Sequence, residues 1–121
     1  MHYSMMTDYF PTARVEVAFT PKELKKLCKK HGVANPAKPT EADAETRTIL
    51  CDEGLLFIVR IDVSDKGDGF YPLVAHEAAH MASYYMEYIH EDKPSSEFMS
   101  YTVQAMMHAL LRCIEEKERN R

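Results

Sequence analysis

Residues 70–90 have the sequence FYPLVAHEAAHMASYYMEYIH, and this stretch decides how the second half of the chain folds. A period of 3.6 residues divides its side chains between two faces of a helix. The apolar face consists of Val74, Ala75, Ala78, Ala82, Tyr85, Met86 and Ile89. The opposite face consists of His76, His80, Ser83 and Glu87. The pattern predicts a helix from about Phe70 or Pro72 to about His90 that packs by one face and offers the other to a cleft.

His76 and His80 indicate a metal site on the polar face. Residues four apart in a helix lie one above the other, so both imidazoles can reach one point. Two neutral imidazole nitrogens are two of the ligands that Zn²⁺ needs, and Glu77 beside them can take a proton from a water that zinc has acidified. The alternative is a pair of surface histidines on an amphipathic helix. The separation into two faces favours the zinc site.

A catalytic zinc normally has three protein ligands and one open position, so the chain must supply another ligand. Glu97 is the predicted third ligand, 17 positions after His80. The break at Asp92–Ser96 lets the last helix turn back, and Glu97 lies in its first turn. An acid there is also favoured by the helix dipole alone. The rival ligands are His90, Glu91, Asp92 and His108, of which His90 lies roughly 15 Å along the helix from His80.

Tyr101 follows Glu97 by four residues and shares its face of the last helix, which is predicted to run to about Glu118. Its hydroxyl could orient a ligating histidine or stabilise a developing oxyanion. The alternative is a tyrosine that only packs between two helices. Weaker candidates for a role at the site are Ser83, Tyr84 and His108.

The first half of the chain is predicted to form strands and one helix. Alternating or continuous apolar residues predict strands at Arg14–Phe19, Thr46–Cys51 and Leu55–Val63, the last covered on both faces. Residues 52–54 fit a hairpin turn between the second and third strands. Thr20 and Pro21 are typical of a helix start, and Gly32 is placed to end that helix. Met1–Pro11 is predicted to be a loose terminus, and Asn35–Glu45 an exposed loop.

Length and composition indicate one small domain. The chain has 121 residues, of which 45% are hydrophobic and 28% charged. A net charge of −4 without a basic stripe gives nucleic-acid binding no electrostatic support, and no apolar run is long enough to cross a membrane. Three scattered cysteines, Cys28, Cys51 and Cys113, are expected to be free thiols in a reducing cytoplasm, with Cys113 in the core. A homodimer is possible, because helices with two apolar or aromatic faces often need a partner.

These elements predict an α+β domain. A small antiparallel sheet of about three strands would pack against three helices, and the last two helices would form the metal cleft. If one edge of that sheet is free, an extended peptide could add to it as a further strand.

The His76–Glu77–His80 motif with Glu97 resembles the zincins of the gluzincin type, in which a downstream helical glutamate completes the zinc site. In large enzymes of that type an Asp follows the ligand glutamate by four residues, and here Tyr101 has that place. The chain is more similar in size and layout to small phage- and prophage-encoded proteins with this motif. That similarity covers about residues 55–119, including a Pro-containing break and a last helix that opens with Glu97 and Tyr101.

The resemblance implies a single minimal zincin-like metallopeptidase domain over residues 1–121, acting on a peptide or protein substrate. For a phage-encoded protein it also implies the host cytoplasm. Two other hypotheses compete with the peptidase. One is a metal-bearing protein without proteolytic activity, such as a structural or host-interaction factor. The other is a metal-free helical interaction module in which the motif occurs by chance.

Overall fold

The computed structural model of this protein describes residues 3–5, 13–33, 43–52, 54–64 and 66–120. These residues form four strands, β1 (Tyr3–Met5), β2 (Ala13–Ala18), β3 (Ala44–Cys51) and β4 (Gly54–Ile61). They also form three helices, α1 (Pro21–Lys30), α2 (Phe70–Tyr88) and α3 (Ser96–Arg119). The four strands make one sheet in the order β1-β2-β4-β3. The prediction of an α+β domain with three helices is confirmed.

The sheet is mixed, so the prediction of an antiparallel sheet of about three strands was wrong in this detail. β3 and β4 form the expected antiparallel hairpin, in which Cys51 pairs with Gly54. β2 lies on the other side of β4 and runs parallel to it, with Val15 opposite Phe57. Parallel neighbours need a long crossover connection, and the segment that contains α1 and β3 supplies it. The sequence pattern shows which residues are strands, whereas strand direction depends on how this connection crosses the sheet.

β4 is the centre of the molecule, and all eight of its residues are buried. Alternate side chains of a strand point to opposite faces of the sheet. Phe57 and Val59 therefore contact the core that α2 and α3 cover, while Leu56 and Ile58 contact α1. The prediction that this strand is covered on both faces is confirmed. The domain therefore has three layers: α1, the sheet, and the pair α2 and α3.

Helix α1 begins and ends where the sequence predicts. The Thr20 side chain accepts a hydrogen bond from the Glu23 backbone N–H at 3.1 Å, and Pro21 occupies the first turn, where it removes no intrahelical bond. At the other end Gly32 has φ +69°, and Val33 donates its N–H to the Cys28 carbonyl at 2.8 Å. This arrangement is a Schellman motif, which needs a left-handed residue, and glycine adopts that conformation without strain.

Two segments in the first half of the chain differ from the prediction: the N-terminal stretch and the start of β3. Tyr3–Met5 forms β1, which pairs antiparallel with β2, so the N-terminal stretch predicted to be loose contains a short strand. β3 begins at Ala44, two residues inside the segment predicted to be a loop. Residues 35–42 of that predicted loop and Glu53 of the hairpin turn lie outside the described residues.

The three cysteines are free thiols in the structure. Cys113 is 3% exposed and packs in the core beside α2, as its place on the apolar stripe of α3 predicts. Burial raises the pKa of the Cys113 thiol to about 11, so the group stays protonated at neutral pH. Its chemistry is therefore that of a small core side chain.

Candidate metal centre

Helix α2 is divided into two faces as predicted, except that Ile89, predicted on the apolar face, lies just beyond the end of the helix and is 37% exposed. Val74, Ala78 and Ala82 are buried against the sheet and α3, and Met86 is also buried, whereas the side chains of the predicted polar face are exposed. That exposed set is His76, His80, Ser83 and Glu87. Pro72 lies in the first turn, where its missing N–H removes no hydrogen bond of the helix.

His76 and His80 bring their ring nitrogens to one point on this exposed face. Their Nε2 atoms lie 3.1 Å apart, and their ring planes are inclined at 85°. Two nitrogens that bind one tetrahedral zinc at its usual bond length are separated by about 3.3 Å. The observed spacing therefore fits a shared ion, and imidazole nitrogens are donors that zinc prefers.

Glu77 is the third member of this group of potential ligand atoms. One of its carboxylate oxygens lies within 4.8 Å of one ring nitrogen of each histidine. Unlike the histidines, Glu77 is only 3% exposed, because the helical period places it with Val74 and Met81 on the side that faces the core. A nearby carboxylate that is not needed as a ligand is what a general base at this site requires.

Thr46 holds the Glu77 carboxylate from the sheet. Its hydroxyl donates a hydrogen bond to Oε1 of Glu77 at 2.6 Å. Thr46 is on β3 and 31 positions before Glu77. This contact is not predictable from the sequence, because no local spacing connects a strand residue to a helix so far along the chain. The only signal available was a polar side chain on a strand of the sheet that was predicted to pack against the helices.

Glu97 lies in the first turn of α3, where its side chain is exposed. Among the described residues, the group of potential ligand atoms contains His76, Glu77 and His80, and Glu97 is not part of it. The structure confirms the position of Glu97 at the start of a helix that packs against α2. Its role as third ligand stays a prediction.

Tyr101 is 63% exposed on α3, so the alternative that it only packs between helices was wrong. The rest of its predicted face, including Gln104 and His108, is also exposed. On α2, the Tyr84 ring stacks near His80 with 6.4 Å between the ring centroids. Tyr84 therefore adjoins the histidine pair, whereas a role for Tyr101 at the site stays a prediction.

Comparisons with protein-family models, curated proteins and solved structures found no match for this chain. Within the described ranges, none of the three helices combines the length and apolar character needed to cross a bilayer.

Proposed function

We propose that this protein is a zinc-dependent peptidase. The observation that carries the proposal is the convergence of one ring nitrogen of His76, one ring nitrogen of His80 and a Glu77 carboxylate oxygen, all within 4.8 Å of one another. The 3.1 Å spacing of the two nitrogens supports a common ion. The exposure of both histidines supports access for a substrate.

In this proposal His76, His80 and Glu97 would hold the zinc ion, as the resemblance to gluzincins implies. When bound, zinc would polarise the scissile carbonyl and lower the pKa of water toward neutral. Glu77 takes a proton from the attacking water and passes it to the leaving amine. Tyr101 would orient a ligating histidine or stabilise the oxyanion from the exposed face of α3.

Metal content tests the site itself. Protein purified without an affinity tag should contain about one zinc per chain by mass spectrometry, and His80→Ala and Glu97→Ala should lose it. His108→Ala serves as a matched control, because it removes an exposed histidine outside the group of potential ligands. Wild-type protein that takes up no zinc, or His80→Ala protein that keeps it, would contradict the proposal. Zinc lost in His108→Ala and kept in Glu97→Ala would instead make His108 the third ligand.

Peptide hydrolysis tests the reaction. Glu77→Gln should keep its zinc and lose hydrolysis of dye-labelled casein by about 10²- to 10⁴-fold, because the amide cannot accept the proton. The second candidate function is a zinc protein without proteolytic activity, and the 3% exposure of Glu77 favours it, because so little of the base is open to water. Zinc-loaded wild type that cleaves casein no faster than Glu77→Gln would decide for that candidate.

A further inference from the structure

Glu77 is a carboxylate placed on the buried side of a helix, and its surroundings must make that position tolerable. An ionised carboxylate in a water-poor site is costly unless it is hydrogen-bonded. Within the part of the chain that the structure describes, the Thr46 hydroxyl gives the Glu77 side chain its one hydrogen bond. Its length of 2.6 Å falls in the range of hydroxyl–carboxylate bonds. Thr46 is therefore the group that fixes how this carboxylate is oriented.

The donor itself is held in place by the sheet. Thr46 pairs with Val59 in the ladder between β3 and β4, and its side chain is half-buried. A branched side chain has few rotamers on a strand, so the hydroxyl has a defined position. Because the carboxylate is planar, fixing Oε1 also fixes the direction in which Oε2 points. The contact sets the position of the base relative to His76 and His80 from a different element of the fold.

We propose that Thr46 is a positioning residue for Glu77. Its hydroxyl occupies Oε1 and leaves Oε2 to receive the proton of the attacking water. This role rests on the peptidase function proposed above. Thr46 also lies on the edge strand β3, so the same strand that would align an extended substrate holds the base that acts on it.

Two substitutions separate the hydroxyl from the shape of the side chain. Thr46→Val keeps the branched shape and removes the donor, whereas Thr46→Ser keeps the donor. Each is compared with wild type after zinc loading, with zinc content and thermal unfolding as controls for the site and the fold. The first readout is the carbon-13 NMR signal of the Glu77 carboxyl group at neutral pH, assigned by its absence in Glu77→Gln.

We expect Thr46→Val to move the Glu77 signal and Thr46→Ser to leave it near its wild-type position. On dye-labelled casein, Thr46→Val should lower kcat by about 10- to 100-fold with KM changed less than about twofold, because misplacing a reacting group affects chemistry more than binding. Thr46→Ser should restore most of kcat. A structural role alone would lower zinc content or the unfolding temperature instead of producing this separation of kcat from KM.

The outcomes distinguish this proposal from the peptidase proposal. A Glu77 signal that stays in place in Thr46→Val overturns the positioning role, whether or not the protein cleaves casein. Wild-type kcat in Thr46→Val also overturns it. If the signal moves as expected and zinc-loaded wild type cleaves nothing, the peptidase proposal fails, while the hold of Thr46 on the carboxylate is supported.

Discussion

Glu16 is a second acid in the interior, and its partners explain why the fold tolerates it. It lies on β2 and is 0% exposed. His31 Nε2 lies 2.5 Å from its Oε2, and Lys30 Nζ lies 3.3 Å from its Oε1. Both partners come from the C-terminal end of α1, where the helix dipole also favours basic groups. Glu16 therefore ties α1 to the sheet through charge as well as through apolar packing.

The stability of the protein should depend on pH through Glu16. Burial by itself raises the pKa of this carboxyl, but the hydrogen bond and charge of His31, followed by those of Lys30, outweigh it and lower the pKa below the ordinary value of 4.5. As the pH falls below 4.5, Glu16 of the unfolded chain takes up a proton before Glu16 of the folded protein does. The stabilisation is therefore complete above that pH and is lost as the pH falls through the folded pKa.

Glu16→Gln removes this titration and keeps a side chain of similar shape. The free energy of unfolding, measured with denaturant, should be higher for wild type at about pH 6, and the difference should shrink by about pH 3. Other carboxyl groups titrate in both proteins and cancel in the comparison. If the free energies of unfolding of wild type and Glu16→Gln fall in parallel as the pH is lowered, Glu16 contributes nothing to the pH dependence.

Glu77 has two features that the sequence alone does not reconcile: it belongs to the histidine motif, and it lies on the buried side of the helix. Its place in the motif predicts a proton acceptor next to the histidines. Its place in the helical period groups it with Val74 and Met81, which are buried. A sequence-based prediction usually assigns an acid to the exposed face of a helix. The hydrogen bond from the Thr46 hydroxyl explains how the Glu77 carboxylate is accommodated on the buried face.

The start of α3 determines where the Glu97 side chain lies. The Ser95 side chain accepts a hydrogen bond from the Phe98 backbone N–H at 3.1 Å, which satisfies one of the free donors of the first turn. Glu97 lies within that turn. A weaker cap should therefore loosen the turn that would bring the predicted third ligand to the zinc.

Ser95→Ala should lower the free energy of unfolding by about 1 kcal/mol, the usual cost of losing such a cap. Ser96→Ala is the control, because Ser96 is the exposed first residue of the helix and alanine is a good helix former. Denaturant unfolding measures both changes. The interpretation is wrong if the two variants are equally stable. If Glu97 is a ligand, Ser95→Ala should also bind zinc more weakly than Ser96→Ala.

Elements with local signals were predictable from the sequence. The N-cap Thr20 marks the start of α1, and Gly32, with its left-handed backbone, marks the end of that helix. The continuous apolar run of β4 predicts that both faces of this strand are covered. The parallel pairing of β2 with β4 was not predictable, because alternation assigns side chains to faces and says nothing of neighbours. β1 was missed for a related reason, since three residues are too few to show a period.

In the candidate site, too, the contacts within one helix were predictable from the sequence, and the contacts between distant elements were not. His76 and His80 come together because a helix places residues four apart on one face, and this needs no knowledge of the rest of the fold. The Thr46 contact depends on how β3 packs on α2, and the reach of Glu97 depends on how α3 packs on α2. Packing between elements distant in sequence decides both, and no periodicity within either element encodes it.

The three layers of the domain leave β3 at one edge of the sheet, beside the helix that carries the histidines. α1 covers one face of the sheet, while α2 and α3 cover the other. The sequence predicts that an extended peptide could add to the sheet if one of its edges is free. The structure places β4 inside the sheet and leaves β1 and β3 at its two edges. Of these, β3 is the one that contacts the histidine helix, through Thr46 and Glu77, so it is the edge at which an added peptide would lie beside the candidate site.

For the proposed peptidase, a charge on β3 should therefore weaken substrate binding while leaving the chemistry intact. Leu50 is 73% exposed on this strand, and charged side chains on edge strands, lysine above all, oppose pairing with another strand. For casein cleavage we expect Leu50→Lys to raise KM by about 3- to 10-fold with little change in kcat, because binding is lost equally in the ground and transition states. Leu50→Thr is the control, since it shortens the side chain without adding charge and suits a strand. A KM for Leu50→Lys equal to that of Leu50→Thr would show that substrate does not pair with β3, and the molecule would then have to bind peptide by the helices alone.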